Sequence, residues 1–514
     1  MNMESFISSL QSLVGKQYVV LEKAALMLYE ADGCVITPHM PDVVIIPETT
    51  EQIVAAVKLA RAAGVPVIAR GSGTGLSGGS TPINGGLVIT TTRMTKILDV
   101  DTRNNRVRVQ PGVINFELSQ YLGAYGYYFA PDPSSQKACS IGGNIGMNSG
   151  GPHCVKYGVT ASHIMGVQMV LEDGSVLWTG DGAPDSIGYD LTGITVGSAG
   201  SFGLVTEAWL RIMRLPESVR VVLALYPDIV SAAETVSAII AGGLLPSALE
   251  MMDKLVIKAV NDAYKLGLPD SAYAALIIEV DGVDDGLDDL MAEVVALCKQ
   301  KGALEVRPAK TPEEQTRVWA ARKNAFGAMG RLARSYYLVD TVVPRTKLPF
   351  LLDQVVKISK KYDLPVANVF HAGDGNLHPL VLYDKTRGDE DHRAHMIAYE
   401  VMKLCVEQGG VISGEHGVGL EKKEYMPDLF TTDDLAAMAA LHQSFNASGM
   451  FNPGKTFPTS QQPHDLVLHR RAAFGLRDGV PLRLSFSAGI ELDPTTGVEP
   501  NAVIDKVLAS GGWV

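Results

Sequence analysis

The run His371-Ala372-Gly373-Asp374-Gly375-Asn376-Leu377-His378-Pro379 is followed downstream by Gly414-Glu415-His416-Gly417. On a regular helix, two histidines seven positions apart stand about 10 Å from one another, too far to share an ion. Gly373, Asp374 and Gly375 favour a tight turn instead, one that folds both imidazoles back toward one point. Glu415 would bring a carboxylate oxygen to that point and complete the set of two histidines and one carboxylate that makes an open catalytic metal site. His416, next in the chain, is then free to act as a base, since imidazole titrates near working pH. Asp374 either fixes an imidazole tautomer from behind or simply makes the turn. The competing reading is a group of satisfied structural histidines. A Glu-His pair inside a second glycine-flanked turn argues against it.

Such side chains need rigid support, and the pattern supplies candidates. Val43–Pro47 reads as a short buried strand. Thr49-x-x-Gln52 has capping-box spacing, and Ile53, Val57 and Ala60 recur at helical intervals up to a stop at Gly64. Val65–Ala69 is the next strand, so the opening unit is βαβ. It delivers the chain into Gly71-Ser72-Gly73-Thr74-Gly75-Leu76-Ser77-Gly78-Gly79. Within that segment, Gly73 to Gly78 matches G-x-G-x-x-G, and Asp99 follows at a fitting distance. A Rossmann loop must open a helix, however, whereas Pro82, Asn84, Gly85 and Gly86 come next and then a strand, Leu87–Thr91. The segment therefore lies between two strands, where its backbone N–H groups can cradle a pyrophosphate as an anion nest. A second glycine-rich loop runs from Ser140 to Gly151, just after Pro131-Asp132-Pro133-Ser134-Ser135. A third, Gly197–Gly203, enters a strand at Leu204-Val205-Thr206. Several such segments suit one long ligand held by backbone.

With 514 residues, 46% hydrophobic and 19% charged, the chain has material for two or three folded domains. A net charge of −12 argues against a nucleic-acid partner. The N-terminus carries Glu4 before any lysine and does not read as a secretory signal, and no apolar window is long enough for a membrane span. Cys34, Cys139, Cys154, Cys298 and Cys405 are odd in number and scattered, giving neither a disulfide framework nor an iron–sulfur or zinc knuckle. A reduced, cytoplasmic setting fits.

RGSGTGLSGG, PDPSSQKACSIGGNIGMNSGG, KYGVT, LEMMD, FHAGDGNLHP, SGEHGVG and FNPGK stand in this order over roughly residues 20–460. Together they resemble the flavoproteins of the vanillyl-alcohol oxidase / p-cresol methylhydroxylase class, in the branch that oxidises 2-hydroxy acids such as glycolate, D-lactate and D-2-hydroxyglutarate. The resemblance implies an α+β fold: a two-subdomain FAD-binding domain plus an α+β substrate cap with a mostly antiparallel sheet. It implies noncovalent FAD, since neither of the first two glycine loops holds a histidine. Gly71, Ser72, Gly73, Thr74, Gly75, Leu76 and Ser77 would take the pyrophosphate. Pro131, Ser134, Gly142, Gly143, Gly146, Asn148 and Ser149 would line the rest of the cofactor, with Val205 at its adenine end. Ala199 stands where the family pattern has an acidic residue. His371, His378 and Glu415 resemble the family's metal ligands, with zinc suited to them and manganese or iron(II) as alternatives. Trp319-Ala320-Ala321-Arg322 resembles the segment whose arginine grips the substrate carboxylate, a role that planar, doubly donating guanidinium suits. Arg345 is a weaker candidate. Leu380 stands where relatives acting on longer diacids carry asparagine, which favours a small substrate.

The expected division is residues 1–217 for FAD, 218–430 for the cap with its metal site, and 431–458 for a helical return to the flavin domain. The tail, 459–514, would cover a surface or bind a partner subunit. Within the cap the pattern reads strand, helix, strand, helix from Val221 to Val306, with further strands at Tyr336–Val343 and Pro365–Phe370. Glycolate is the first expected substrate and D-lactate the second. The chain holds no cluster motif to reoxidise flavin, so a quinone, oxygen or a soluble acceptor must do so, or a partner must carry electrons onward. The resemblance implies a second flavin-type subunit and an iron–sulfur subunit, which would place the protein peripherally on the inner membrane. The alternatives are a non-redox flavin transferase and a noncatalytic electron-relay subunit.

Overall fold

A computed structural model describes residues 2–34, 38–180, 182–183, 188–264 and 266–458. The expected role of 459–514 falls outside these residues. The apolar run Val43–Ile45 is fully buried and pairs in parallel with Leu87–Thr90, which pairs in parallel with Val67–Arg70. Val19–Val20 closes the far edge antiparallel. Helix Thr50–Ala63 crosses over this sheet, burying Ile53, Ala56, Val57 and Ala60 against Phe6 and Leu10 of helix Met3–Val14. Its start is only half a capping box. Thr49 accepts from the Gln52 N–H at 3.3 Å, but the Gln52 side chain turns to the Glu48 N–H at 2.7 Å instead of returning to Thr49. Gly64 ends the helix at φ +66°, where a Cβ would be strained. The first glycine segment joins two parallel strands with no helix between them, as its prolines and glycines require.

The next sheet is wholly antiparallel, in the order Ile97–Asp101, Arg106–Val109, Leu204–Arg211, Ile164–Val170, Val176–Trp178. The second glycine segment corrects the loop expectation, because Ile141–Met147 is a helix. Three glycines make that helix intrinsically poor. Two things override propensity: Ser140 caps the Gly143 N–H at 3.3 Å, and Ile141 and Ile145 are fully buried against Val107, Val167 and Leu210.

The cap is built on one large sheet whose pairings are all antiparallel. Alternation along its strands gives two apolar faces. Val222, Ala224, Leu249, Met251, Leu276 and Ile278 meet helices Ile229–Ala241, Leu287–Gln300, Leu348–Tyr362 and Glu390–Glu407 on one side. Leu223, Met252, Ala275 and Ile277 meet Lys254–Tyr264 and Ala325–Met329 on the other. The sequence pattern lacked strand Ala248–Asp253 and helix Lys254–Tyr264. The strand expected over Tyr336–Val343 is two short strands, Ser335–Leu338 and Thr341–Val342, interrupted at Val339-Asp340.

After helix Thr432–Phe445 the chain returns to the first sheet. Val67 donates to Met450 and Asn452 donates to Val67, each at 2.8 Å, so Phe451 sits on the sheet edge almost wholly buried. The Asn452 carboxamide then donates to two loop carbonyls, Gly79 at 2.7 Å and Ala199 at 2.5 Å. Asn452→Ala strands both carbonyls in the interior. It should lower the unfolding free energy by about 2–4 kcal/mol in urea titrations.

Candidate active site

The turn between strands Val366–His371 and Asn376–Leu377 brings the two histidines together. His371 pairs directly with Asn376 across it, and Gly375 takes φ +81°. The His371 and His378 rings lie 5.0 Å apart at 81°. Asp374 resolves into the turn residue: its carboxylate accepts the Asn376 N–H at 3.0 Å, and burial pushes that carboxyl up to about 6. The tautomer is set by Glu250, which the sequence reading did not single out. Glu250 stands opposite His371 in the pairing of strands Ala248–Asp253 and Val366–His371, and accepts from Nδ1 at 2.7 Å. Its other oxygen takes the Arg322 Nε–H at 2.6 Å.

Glu415 completes the set. Its Oε1 is 3.1 Å from His371 Nε2, 3.4 Å from His378 Nε2 and 3.8 Å from His416 Nε2. Burial raises its carboxyl, but His371 and then the other two imidazoles outweigh that and pull it down to about 2. Burial opposes charge on His371 too, yet Glu250 and Glu415 hold its pKa well above the usual imidazole range. His416 goes the other way: burial drives it down to about 4 despite the nearby Asp340 carboxylate, so it is neutral at pH 7. Its ring stacks on His378 at 5.2 Å and 24°.

Two overlapping triads bring ligand atoms within 4.8 Å of one another: His371, His378 and Glu415, and Asp340, His378 and His416. Hydrogen bonding separates them. Asp340 already accepts five protein donors: the N–H groups of Gly414 (3.0 Å), Glu415 (3.2 Å) and His416 (3.1 Å), Ser413 Oγ (2.8 Å) and Lys422 Nζ (2.5 Å). Its oxygens are spent on holding the loop. Both ring nitrogens of His378, by contrast, are buried without a hydrogen-bond partner, as an imidazole held ready for an ion would be. Because Asp340's oxygens are already committed, the triad of His371, His378 and Glu415 is the better fit for a divalent metal.

Arg322, near the end of helix Pro312–Lys323, is almost fully buried, and its Nη2 has no hydrogen-bond partner. A buried guanidinium with one face committed to Glu250 and a donor left over is suited to a carboxylate. Arg345 donates to the Gly373 carbonyl at 3.1 Å and so braces the turn between the two histidines. Leu380 is buried in the core of the cap. Trp319, one turn before Arg322, donates to Glu279 at 2.7 Å, and Glu279 also meets His153 of the first half of the chain at 2.9 Å. His153 in turn contacts Asp132 at 2.8 Å. Beside it Lys156 pairs with Asp281, and Tyr157 donates to Asp281 at 2.7 Å. These contacts seat the cap on the rest of the molecule.

The glycine segments border the same place. Gly71 is packed so closely that a Cβ would fall 3.2 Å from the Gly143 N, whereas Gly146 opens onto free space. Asn148 caps its helix at φ 53° and accepts the Ala161 N–H at 2.8 Å. Gly71–Gly75 are half-buried, Leu76 is exposed and Ser77 is buried. Pro131 and Ser134 lie in the segment before the helix, and Ser149 follows its cap. Val205 is the second residue of its strand. Backbone-rich segments from which side chains are excluded at the close approaches fit a long cofactor such as FAD.

Comparison with known proteins agrees. A family described as "FAD linked oxidases, C-terminal domain" matches residues 215–456, and one described as "FAD binding domain" matches 41–180. Glycolate oxidase subunit GlcD of Escherichia coli (strain K12) is 42% identical over 87% of this chain and 88% of its own length. This chain belongs to the FAD-linked oxidases. Another member, GlcD of Bacillus subtilis, is 40% identical over 84% of this chain and 93% of the relative, and D-lactate dehydrogenase of Anaerostipes hadrus is 32% identical over 81% and 89%. The fold is shared with p-cresol methylhydroxylase (TM-score 0.73, 18% identity, 88% of this chain and 96% of the other). It is shared too with 4-ethylphenol oxidase from Gulosibacter chungangensis (TM-score 0.74, 18%, covering 90% and 98%). As an FAD-linked oxidase the protein is an FAD-binding oxidoreductase of α+β architecture. Among the described residues no helix is long and apolar enough to cross a membrane.

The Glu250 pairing has a measurable consequence. Glu250→Ala leaves Arg322 buried without its countercharge and should cost about 3–5 kcal/mol in denaturant unfolding. Arg345→Ala removes one ordinary bond and should cost about 1 kcal/mol.

Proposed function

We propose that this FAD-linked oxidase oxidises a small 2-hydroxy acid, glycolate first and D-lactate second. One observation carries the reading: a buried arginine with a spare donor lies one carboxylate away from the triad of His371, His378 and Glu415, beside the glycine-rich segments. When bound, FAD would supply a hydride acceptor for the substrate C2, and His371, His378 and Glu415 would hold a divalent ion, zinc by preference with manganese or iron as alternatives, that would make the hydroxyl more acidic. Arg322 binds the substrate carboxylate and so orients C2. Neutral His416 takes the hydroxyl proton, and the stacked His378 ring keeps the base in place. Glu250 fixes His371 in the tautomer that presents Nε2. The identity with glycolate oxidase subunits supports this substrate class, and Leu380, standing where relatives acting on longer diacids carry asparagine, favours a small substrate.

Those relatives are named as subunits, which supports an assembly in which a second flavin-type subunit and an iron–sulfur subunit take the electrons onward. We place the protein in the cytoplasm, peripheral to the inner membrane through those partners. FAD is held noncovalently, with its pyrophosphate on Gly71–Ser77 and the remainder along Pro131, Ser134, Gly142, Gly143, Gly146, Asn148, Ser149 and Val205.

The first experiment mixes the yellow protein anaerobically with glycolate, D-lactate, L-lactate and D-2-hydroxyglutarate, before and after chelation. Glycolate or D-lactate should bleach the flavin, chelation should abolish bleaching, and zinc or manganese should restore it. Bleaching that survives complete metal removal would sink the metal's role. His416→Ala should keep its FAD absorbance yet lose at least about 100-fold in the rate of flavin reduction. An unchanged rate would exclude His416 as the base. Arg322→Lys should raise KM for the hydroxy acid more than it lowers kcat, measured in steady state with an artificial acceptor.

A further inference from the structure

The loop that carries Glu415 and His416 is gripped from two sides. Asp340 of the cap holds its N–H groups, as described above. From the flavin side, fully buried Ser77 donates its Oγ–H to the His416 carbonyl at 2.9 Å, and its own carbonyl accepts Leu420 N at 2.7 Å and Glu421 N at 3.1 Å. Close packing reinforces the grip. A Cβ on Gly78 would lie 2.9 Å from Leu420 Cβ, one on Gly417 2.8 Å from Met147 Cε, and one on Gly150 2.9 Å from Glu415 Cβ. Both glycine-rich segments therefore rest directly on the loop bearing the candidate metal carboxylate.

We infer that the cofactor and metal sites bind as one thermodynamic unit, with Ser77 as the positioning residue that couples them. The inference rests on the metal reading proposed above for Glu415. The Ser77 hydroxyl is committed to the His416 carbonyl, so Ser77 would meet the cofactor through its backbone. FAD settled on Gly71–Ser77 fixes Ser77, and Ser77 fixes the backbone just after Glu415, at the peptide between His416 and Gly417. An ion on Glu415 fixes the same backbone from the opposite direction. Each ligand thus meets a loop the other has already ordered. Linkage makes the effect reciprocal, so a tighter cofactor with metal implies a tighter metal with cofactor.

The test uses the holoprotein with zinc as the probe. FAD dissociation is followed through the fluorescence of released flavin, first with zinc bound, then after chelation, then after zinc is returned. The dissociation constant for FAD should rise at least about fivefold on chelation and recover with zinc. Ser77→Ala keeps the backbone N–H and carbonyl, so it should still bind FAD, and the ratio of the two constants should shrink toward one. A general loss of FAD affinity in the variant cancels in that ratio, which separates coupling from mere structural support. Equal FAD affinity with and without zinc in the wild-type protein overturns the coupling. A full-sized ratio in Ser77→Ala overturns the part given to Ser77. If metal analysis finds that the protein binds no zinc, manganese or iron, the metal reading itself fails and the inference falls with it.

Discussion

A single buried carboxylate, Asp340, organises the centre of this molecule. Three successive N–H groups, Gly414 to His416, converge on it, joined by Ser413 Oγ and Lys422 Nζ. An isolated carboxylate at zero exposure would be expensive to bury, and Lys422, itself fully buried, supplies the opposite charge. Burial opposes charge on Asp340, but Lys422 first and then the neighbouring His416 and His378 imidazoles hold its carboxyl well below the usual range. The arrangement turns a glycine-rich loop, which would otherwise sample many conformations, into a fixed platform. Glu415 and His416 reach the two histidines because the backbone beneath them has nowhere else to go.

The opposite wall is made rigid by different means. His371 and Glu250 face each other because their strands pair in that register, and a slip of one residue would send Glu250 to the other side of the sheet. The same face of the sheet carries Glu279 and Asp281, which meet His153 and Lys156 of the first half of the chain. A row of three carboxylates thus serves three ends: Glu250 aims an imidazole, while Glu279 and Asp281 seat the cap against the flavin side.

Much of this could be read from residue types and spacing. The histidine turn, Glu415-His416 and a glycine crossover without a helix all left local signatures, because each depends on glycine or on short-range order, whereas Arg322 stood out only through the family resemblance. What escaped depends on distant pairing. Asp340 sits in Leu338-Val339-Asp340-Thr341-Val342, which reads as an unbroken buried strand, and nothing nearby announces that its partners lie more than seventy positions away. Glu250 stood inside a recognised motif, yet only the strand register reveals that it serves His371. The helix Ile141–Met147 was hidden for the opposite reason: its composition points to a loop, and the burial of two isoleucines decides otherwise. Asp374 looked able to orient a histidine but is used up by its own turn.

The return of the segment around Phe451 to the first sheet has a bearing on how the protein is made. Asn452 bridges Gly79 and Ala199, and its link to Gly79 spans 373 positions. Phe451 fills an edge of a sheet whose other strands end by Thr90. On the ribosome, the glycine segments therefore emerge long before the residue that ties them together, and the nascent flavin half must wait with an open edge while the whole cap is synthesised. Burying that edge is a late event of translation as well as a step of folding. The capacity to take up cofactor is thereby linked to synthesis of the cap and the segment beyond it, and fragments released early would carry the glycine segments without the tie that makes them a site.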